Sequence, residues 1–371
     1  MSKRVTIDHP MQIECYETLN DTQAAEWVKF LVSATHAHPR QNPRFAEVER
    51  ALGRKVLFTI GRQGGNICAV GLWSLRQSRF LPHRFSEAMA LSGPVCDDST
   101  LLVAFLNSVS DCPEFKQVDA LNITPYWVAD DAQALSDTFS QTLLRLSDPE
   151  PFRHTGLIDL DRPESDIRAS FSKSARRKIR LAENKPIEIR HVTSWLDAEV
   201  FFNRLNTLVL QRHSLTPVTE AEQRAQFQAV LSNPKIGALF CAYYEGIFLG
   251  GLLLYRSTYT AHARRYVADP DAAKKASNLR VAPLVWLHGM LWAKEQGSRW
   301  FDVEGFRLIT DKSEPLFKVY EYKRELSPEP VLRVGEHTLP LHKGYDRINR
   351  LPAAARRKVK QAVHMLKRRA G

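Results

Sequence analysis

The sequence predicts a mixed α and β protein of two domains, and three observations predict it. At 371 residues the chain is longer than one hydrophobic core ordinarily serves. An apolar fraction of 44% and a charged fraction of 25% are those of a globular protein. Apolar runs of strand length alternate with segments of helical period, in an order the second half shows fully and the first half repeats in reduced form.

In the first half, Thr22–Ala34 carries a helix-like apolar pattern, with Thr22 as its candidate cap. Lys55–Ile60 and Ile67–Leu75 read as strands around the turn Gly61-Arg-Gln-Gly-Gly65. No helix follows those glycines, so they mark a hairpin and not a phosphate loop. Leu101–Val109 has a helical period and Val118–Ile123 reads as a strand. The polar stretch Ser147-Asp-Pro-Glu-Pro-Phe-Arg153 carries two prolines and predicts a boundary, giving units 1–150, 151–335 and 336–371.

In the second half, Thr155–Leu160 reads as a strand. Asp161 then precedes one long helix whose apolar stripe is Ile167, Phe171, Ala175, Ile179 and Ala182. Pro186 ends that helix, and Ile187–Val192 follows as a strand. Trp195–His213 and Glu220–Leu231 have helical periods. Ala238–Tyr244, Phe248–Tyr255 and Thr258–Val267 read as three antiparallel strands. The apolar helix Ala282–Gln296 is closed by Gly297, and the strand Trp300–Val303 delivers Asp302 and Glu304 to its C-terminal end. Pro315–Tyr322 reads as a last strand and Val331–Leu341 as a peripheral hairpin.

The net charge of +11 is local. Residues 343–371 hold ten Lys or Arg against Asp346 alone, which leaves +2 for the first 342 residues. A second concentration, eight basic residues against two acidic, spans Arg168–Arg190. This distribution excludes a uniformly basic nucleic-acid binder. The tail from Arg350 to Arg369 sets Leu351, Ala355, Val359, Ala362 and Leu366 on one helical stripe among basic residues. Such a helix suits contact with an anionic membrane or a nucleic-acid backbone, and equally a solubilising role. The five cysteines are scattered without a CxxC pair, which supports neither a zinc knuckle nor a disulfide framework. No apolar run reaches the roughly 18–20 residues of a membrane span, and no apolar core follows the first charged residues. A cytoplasmic protein is expected.

Four segments, in order, carry a likeness to a known family: Gly93-Pro-Val95; the basic helix Ser170-Phe-Ser-Lys-Ser-Ala-Arg-Arg-Lys-Ile-Arg-Leu-Ala182; the hairpin around Gly250–Gly251; and the run from Trp286 through Phe301-Asp-Val-Glu-Gly305 to Phe317–Lys318. Over about residues 20–327 the chain resembles the Fem-type aminoacyltransferases and related GNAT-like acyltransferases. The resemblance implies two GNAT-like domains packed side by side, each a mixed, mostly antiparallel sheet with flanking helices. It implies transfer of an activated acyl group, from aminoacyl-tRNA or an acyl-CoA thioester, onto an amine of an envelope, sugar or peptide-like acceptor. No resident cofactor is assigned. One departure bears on the donor. The Q/R-x-x-G-x-A/G loop that holds coenzyme A pyrophosphate in acetyl-CoA-binding members is here Ala276-Ser-Asn-Leu-Arg-Val-Ala-Pro283, without glycine.

Acyl transfer to an amine needs positioning, a neutral nucleophile and oxyanion stabilisation, so no nucleophilic residue is required. Neither a G-x-S-x-G elbow nor a Walker motif is present. The resemblance gives Lys318 a place beside the donor phosphate or oxyanion. Asp302 and Glu304 are candidates to take a proton from, or orient, the amine; ion pairs with Arg299 or Arg307 are the structural alternative. Arg264, Arg265 and Tyr266 end a strand beside the cleft, where strand alternation allows only one arginine to face in. Arg176, Arg177 and Arg180 could grip phosphate or form a solvated face, and Asn278 lies in the altered loop. His213 ends a helix, where a capping or surface role competes with binding. A coenzyme A-dependent exopolysaccharide acyltransferase and a non-catalytic tRNA- or membrane-binding module are the competing readings.

Overall fold

The computed structural model describes residues 11–78, 84–142, 144–146, 153–212, 217–231, 233–306, 308, 312–313 and 317–342. Two seven-stranded mixed sheets form its framework. The first contains β1 (Gln12–Tyr16), β2 (Lys55–Gln63), β3 (Asn66–Gln77), β4 (Phe85–Ala90), β5 (Ala120–Ile123) and β6 (Arg145–Leu146). The second contains β7 (His154–Asp159), β8 (Ile187–His191), β9 (Gly237–Tyr244), β10 (Ile247–Arg256), β11 (Thr260–Ala268), β12 (Trp300–Asp302) and β13 (Glu329–Leu332). A final strand, β14 (His337–Pro340), returns to the first sheet.

The sheets repeat one plan. The first runs β1-β2-β3-β4-β5-β14-β6, and the second, read from its other edge, runs β8-β9-β10-β11-β12-β7-β13. In each, four antiparallel strands meet one parallel strand, β5 beside β4 and β12 beside β11, and antiparallel pairing then resumes. Strand β12 pairs with β11 over Thr260–His262, so from Ala263 onward β11 has no strand on that side among the described residues. The site lies at this opening.

Helices cover the sheets: α1 (Asp21–Ser33), α2 (Phe45–Ala51), α3 (Ser99–Asp111) and α4 (Ala129–Ser140) in the first half. The second half adds α5 (Glu164–Ser170), α6 (Lys173–Glu183), α7 (Trp195–Arg212), α8 (Glu220–Gln226), α9 (Pro270–Lys275), α10 (Ala282–Glu295) and α11 (Phe317–Arg324). Each sheet has its own apolar core, and a third core joins the halves. It packs Trp27, Phe45 and Phe58 with Phe201, Phe202 and Tyr255. The five cysteines are free, with Cys96 and Cys241 buried.

Four expectations are corrected. The valine- and tyrosine-rich segment before Arg324 is helix α11, so Lys318 lies on a helix and not on a strand. Tertiary packing overrides strand propensity there, with half-buried Tyr322 packed against Trp286 and stacked on Tyr266. The predicted C-terminal hairpin does not form, because β13 pairs with β7 while β14 pairs with β5 and β6. The long helix after Asp161 divides into α5 and α6. The Ser172 hydroxyl accepts from the Ala175 amide and caps α6, while the Ser172 amide donates to the Glu325 carbonyl. The N-cap of α1 is Asn20, in a capping box with Gln23, and not Thr22. His213 and the basic tail from Lys343 lie outside the described residues.

Candidate active site

The short strand β12 sets Asp302 opposite His262 of β11 and Leu157 of β7. Its carboxylate is 1% exposed, so it needs internal donors. Three are present. The Tyr126 hydroxyl donates to Oδ2 at 2.8 Å, the Thr155 hydroxyl donates to Oδ1, and the Glu304 amide donates to Oδ1 at 2.7 Å. Tyr126 comes from the first half, so this carboxylate also ties the halves together. Burial alone would push the Asp302 carboxyl up; the neighbouring His262 ring outweighs it and holds the group below its ordinary value. His262 Nδ1 lies 3.7 Å from Oδ2, too far for a hydrogen bond, so the attraction at this separation is electrostatic.

Glu304 contrasts with it. Its φ of 46° is left-handed, a costly conformation for a residue with a side chain. That backbone turns the carboxylate towards the first half. Oε1 lies 3.8 Å from His38 Nε2, and Oε2 lies 3.7 Å from an Arg264 nitrogen. Burial opposes its charge, but His38 and Arg264 hold the carboxyl well below the usual range. Lys323 of α11 donates to the carbonyls of Glu304 and Gly305, and burial lowers its ammonium to about 8.

His38 is 3% exposed, and burial, with His262 beside it, pushes its imidazole down to about 3. Its Nδ1 accepts the Arg40 amide at 3.1 Å, which leaves the proton of the neutral ring on Nε2, facing Glu304. The His38 and His262 rings lie 4.2 Å apart. His262 is 0% exposed, and neither of its ring nitrogens has a hydrogen-bond partner among the described residues.

His38, His262 and Glu304 each bring one nitrogen or oxygen within 4.8 Å of the others, a donor set of the type that holds transition metals. Its details do not fit a metal. A metal-binding imidazole offers a lone pair and donates its other N–H outward, whereas His38 accepts at Nδ1 and turns N–H towards Glu304. Three guanidinium groups nearby add further positive charge.

Those groups are Arg40, Arg264 and Arg265. A β-bulge opposite Leu253–Leu254 leaves Arg264 unpaired between Ala263 and Arg265. The bulge breaks the strand alternation at this point; Arg264 is half-buried beside Glu304, while Arg265 is exposed. Both charges act on Tyr255, Glu304 and Arg40. Arg40 is lowered to about 10 by burial and then by Arg264; exposed Arg265 is lowered to about 10 chiefly by Arg264. Between the halves lies a cavity of about 60 Å³, lined by Arg40, Phe45, Leu72, Glu222, Tyr255 and Arg264 among others.

Of the other candidates, Tyr266 is turned away from the arginines, stacking on Tyr322 with ring centroids 5.9 Å apart. Arg176, Arg177 and Arg180 are exposed on α6, and Asn278 is exposed in a left-handed turn at φ 59°. The side chain of Lys318 lies outside what the structure describes. The structure adds His38, Arg40, Tyr126, Thr155, His262 and Lys323. His262 and Arg264 stand two residues apart in Thr260-Ala-His-Ala-Arg-Arg265, a spacing that could have flagged the histidine. Thr35-His-Ala-His-Pro-Arg40 offers two histidines and an arginine in six residues, a second legible signal.

Residues 169–324 match the family model of the acetyltransferase (GNAT) domain. Among solved structures, the crystal structure of FemX superposes with a TM-score of 0.77 at 14% identity, covering 90% of this chain and 99% of that one. A tandem GNAT protein from the clavulanic acid biosynthesis pathway gives a TM-score of 0.51 at 13% identity, covering 90% and 99%. L-PGS from Bacillus licheniformis gives 0.51 at 12% identity, covering 88% and 94%. Comparison with curated proteins by sequence finds no match. The second half of the chain thus matches the GNAT acetyltransferase domain model over residues 169–324. As a whole the chain shares the fold of FemX and of the tandem GNAT protein.

Proposed function

We propose that the protein transfers an activated acyl or aminoacyl group onto an amine, in the cleft between its two halves. One observation carries this reading. Arg40 and Arg264 line an interdomain cavity, with Arg265 exposed next to Arg264, directly beside the Glu304 carboxylate held in a strained conformation. Guanidinium groups in that setting suit a phosphate of the donor or the acceptor. On this reading residues 151–335 approach the donor and residues 1–150 complete the acceptor side. Glu304 orients the attacking amine, Asp302 is a buried anchor, and Lys318 serves the oxyanion or donor phosphate. The Fem-type resemblance of the sequence points to aminoacyl transfer onto a peptide-type acceptor of the cell envelope, with the reaction on the cytoplasmic side, and the fold shared with FemX is compatible with it. No helix among the described residues is long and apolar enough to cross a membrane.

The GNAT family match favours a second reading, transfer from coenzyme A to an exopolysaccharide sugar. Against it, Ala276, Leu279, Val281 and Pro283 are buried where a glycine-rich pyrophosphate loop would stand. Thermal-shift titration with acetyl-CoA, beside gel-shift with charged tRNA and a transfer assay, separates the two. A salt-sensitive tRNA complex with aminoacyl transfer supports the first reading, and stabilisation by the thioester with acetyl transfer supports the second. Transfer from neither donor would leave an anion-binding module and overturn both.

A further inference from the structure

We propose that His262, with Asp302 as its positioning residue, accepts the proton of the attacking amine in the transfer reaction. This rests on the transferase reading above and deepens it. The observation behind it is an unmet demand at the centre of the molecule. A fully buried imidazole with two unpartnered nitrogens loses hydration that nothing among its described neighbours returns.

One side of the ring has an evident partner. Asp302 accepts from Tyr126, Thr155 and the Glu304 amide, so its carboxylate is fixed in place, yet Oδ2 still faces His262 Nδ1 at 3.7 Å. A carboxylate only accepts, so it favours the Nδ1–H tautomer and leaves the lone pair on Nε2. A closure of under about 1 Å would complete the Asp302 contact as a hydrogen bond. Asp302 itself is a poor base, because every donor it holds stabilises the charged form.

The ring also approaches Glu304. A ring nitrogen of His262 lies within 4.8 Å of the Glu304 carboxylate and of His38, and the Glu304 side chain is 22% exposed. His38 cannot take the proton there, since it presents N–H on that side. An amine seated against Glu304 would therefore meet one base. The attacking nitrogen forms its bond to the acyl carbon while the carbonyl π pair moves onto oxygen, and its proton passes to His262 Nε2. On collapse the C–O or C–S bond to the donor breaks, and the leaving oxygen or sulfur departs with that electron pair and receives the proton.

The test has two arms. In the intact wild-type protein, histidine 15N–1H long-range correlation spectra at pH 7, assigned with His262→Gln, report the tautomer directly. Neutral His262 with the proton on Nδ1, shifting towards Nε2–H in Asp302→Asn, is expected. An Nε2–H ring or an imidazolium in the wild type overturns the proposal. A divalent metal bound stoichiometrically to the purified protein and lost in His262→Gln overturns it as well. In the kinetic arm, His262→Gln should lower transfer to an alkylamine acceptor about 100-fold or more, with donor KM changed less than about threefold. Transfer to hydroxylamine, whose N-protonated adduct is a much stronger acid and loses its proton to water without a protein base, should fall far less. Equal losses for both nucleophiles would assign His262 a structural role. Absence of transfer in the wild type, with either nucleophile, would defeat the transferase reading, while the spectra still decide the dyad.

Discussion

Asp302 and Glu304 stand two residues apart and differ in almost every physical respect. The first is saturated with donors; the second holds only contacts of 3.7–3.8 Å and pays for its position in backbone strain. Asp302→Asn turns an amide towards groups that donate, and should cost about 1–3 kcal/mol of stability, read from urea unfolding. Glu304→Gln should change stability by less than about 1 kcal/mol while transfer falls at least tenfold. Arg40→Ala and Arg264→Ala should each weaken a phosphate-bearing donor about 10–100-fold by calorimetry, with a shallower dependence on salt. Asp302, Glu304, Arg264 and Arg265 were legible because β11 and β12 place them close in sequence to strand ends. Tyr126 and Thr155 were not, since only the packing of distant segments brings them in.

At the scale of elements, the loop carrying His38 and Arg40 is held by Gln41. Its side-chain oxygen accepts the Leu72 amide at 2.8 Å, and its nitrogen donates to the Leu91 carbonyl at 2.9 Å. A side chain at Gly93 would meet that Gln41 amide at 2.3 Å. Gly93→Ala should therefore lower stability by about 1–3 kcal/mol and weaken donor binding with it, as measured by thermal unfolding and titration. This gives the Gly-Pro-Val segment a physical role that the sequence alone did not reveal. His191 on β8 and His288 on α10 flank Phe240, and burial lowers both imidazoles below their ordinary value, with Glu295 partly offsetting it at His288. Below about pH 6.5 the unfolded chain then binds more protons than the folded one, so stability falls with pH. His191→Gln/His288→Gln should flatten the decline of Tm between pH 7 and pH 5. Strand and helix periods were readable in most of the second half. The α11 segment was misread because its valine and tyrosines favour strands in isolation, and packing on Trp286 decides otherwise.

At the scale of the whole molecule, the central core draws on both halves, and β14 crosses from the second half into the first sheet. Wild-type protein should show one calorimetric transition, and a chain ending at Gly335 should be insoluble or unfold at markedly lower temperature. Two separate transitions, or a soluble truncation of native stability, would contradict this coupling. The duplicated plan was visible in the order of elements. The swap of β14 between sheets was not, because a short strand between turns carries no signal of which edge it joins.

That swap sets a schedule for synthesis. Strand β14 fills the gap between β5 and β6, so both wait with unpaired backbone until residue 340 has been made. At about 5–20 residues per second, the nascent chain exposes these edges for roughly ten to forty seconds after β6 emerges. During that interval the first half is an unfinished sheet, open to pairing with other chains and in need of shielding.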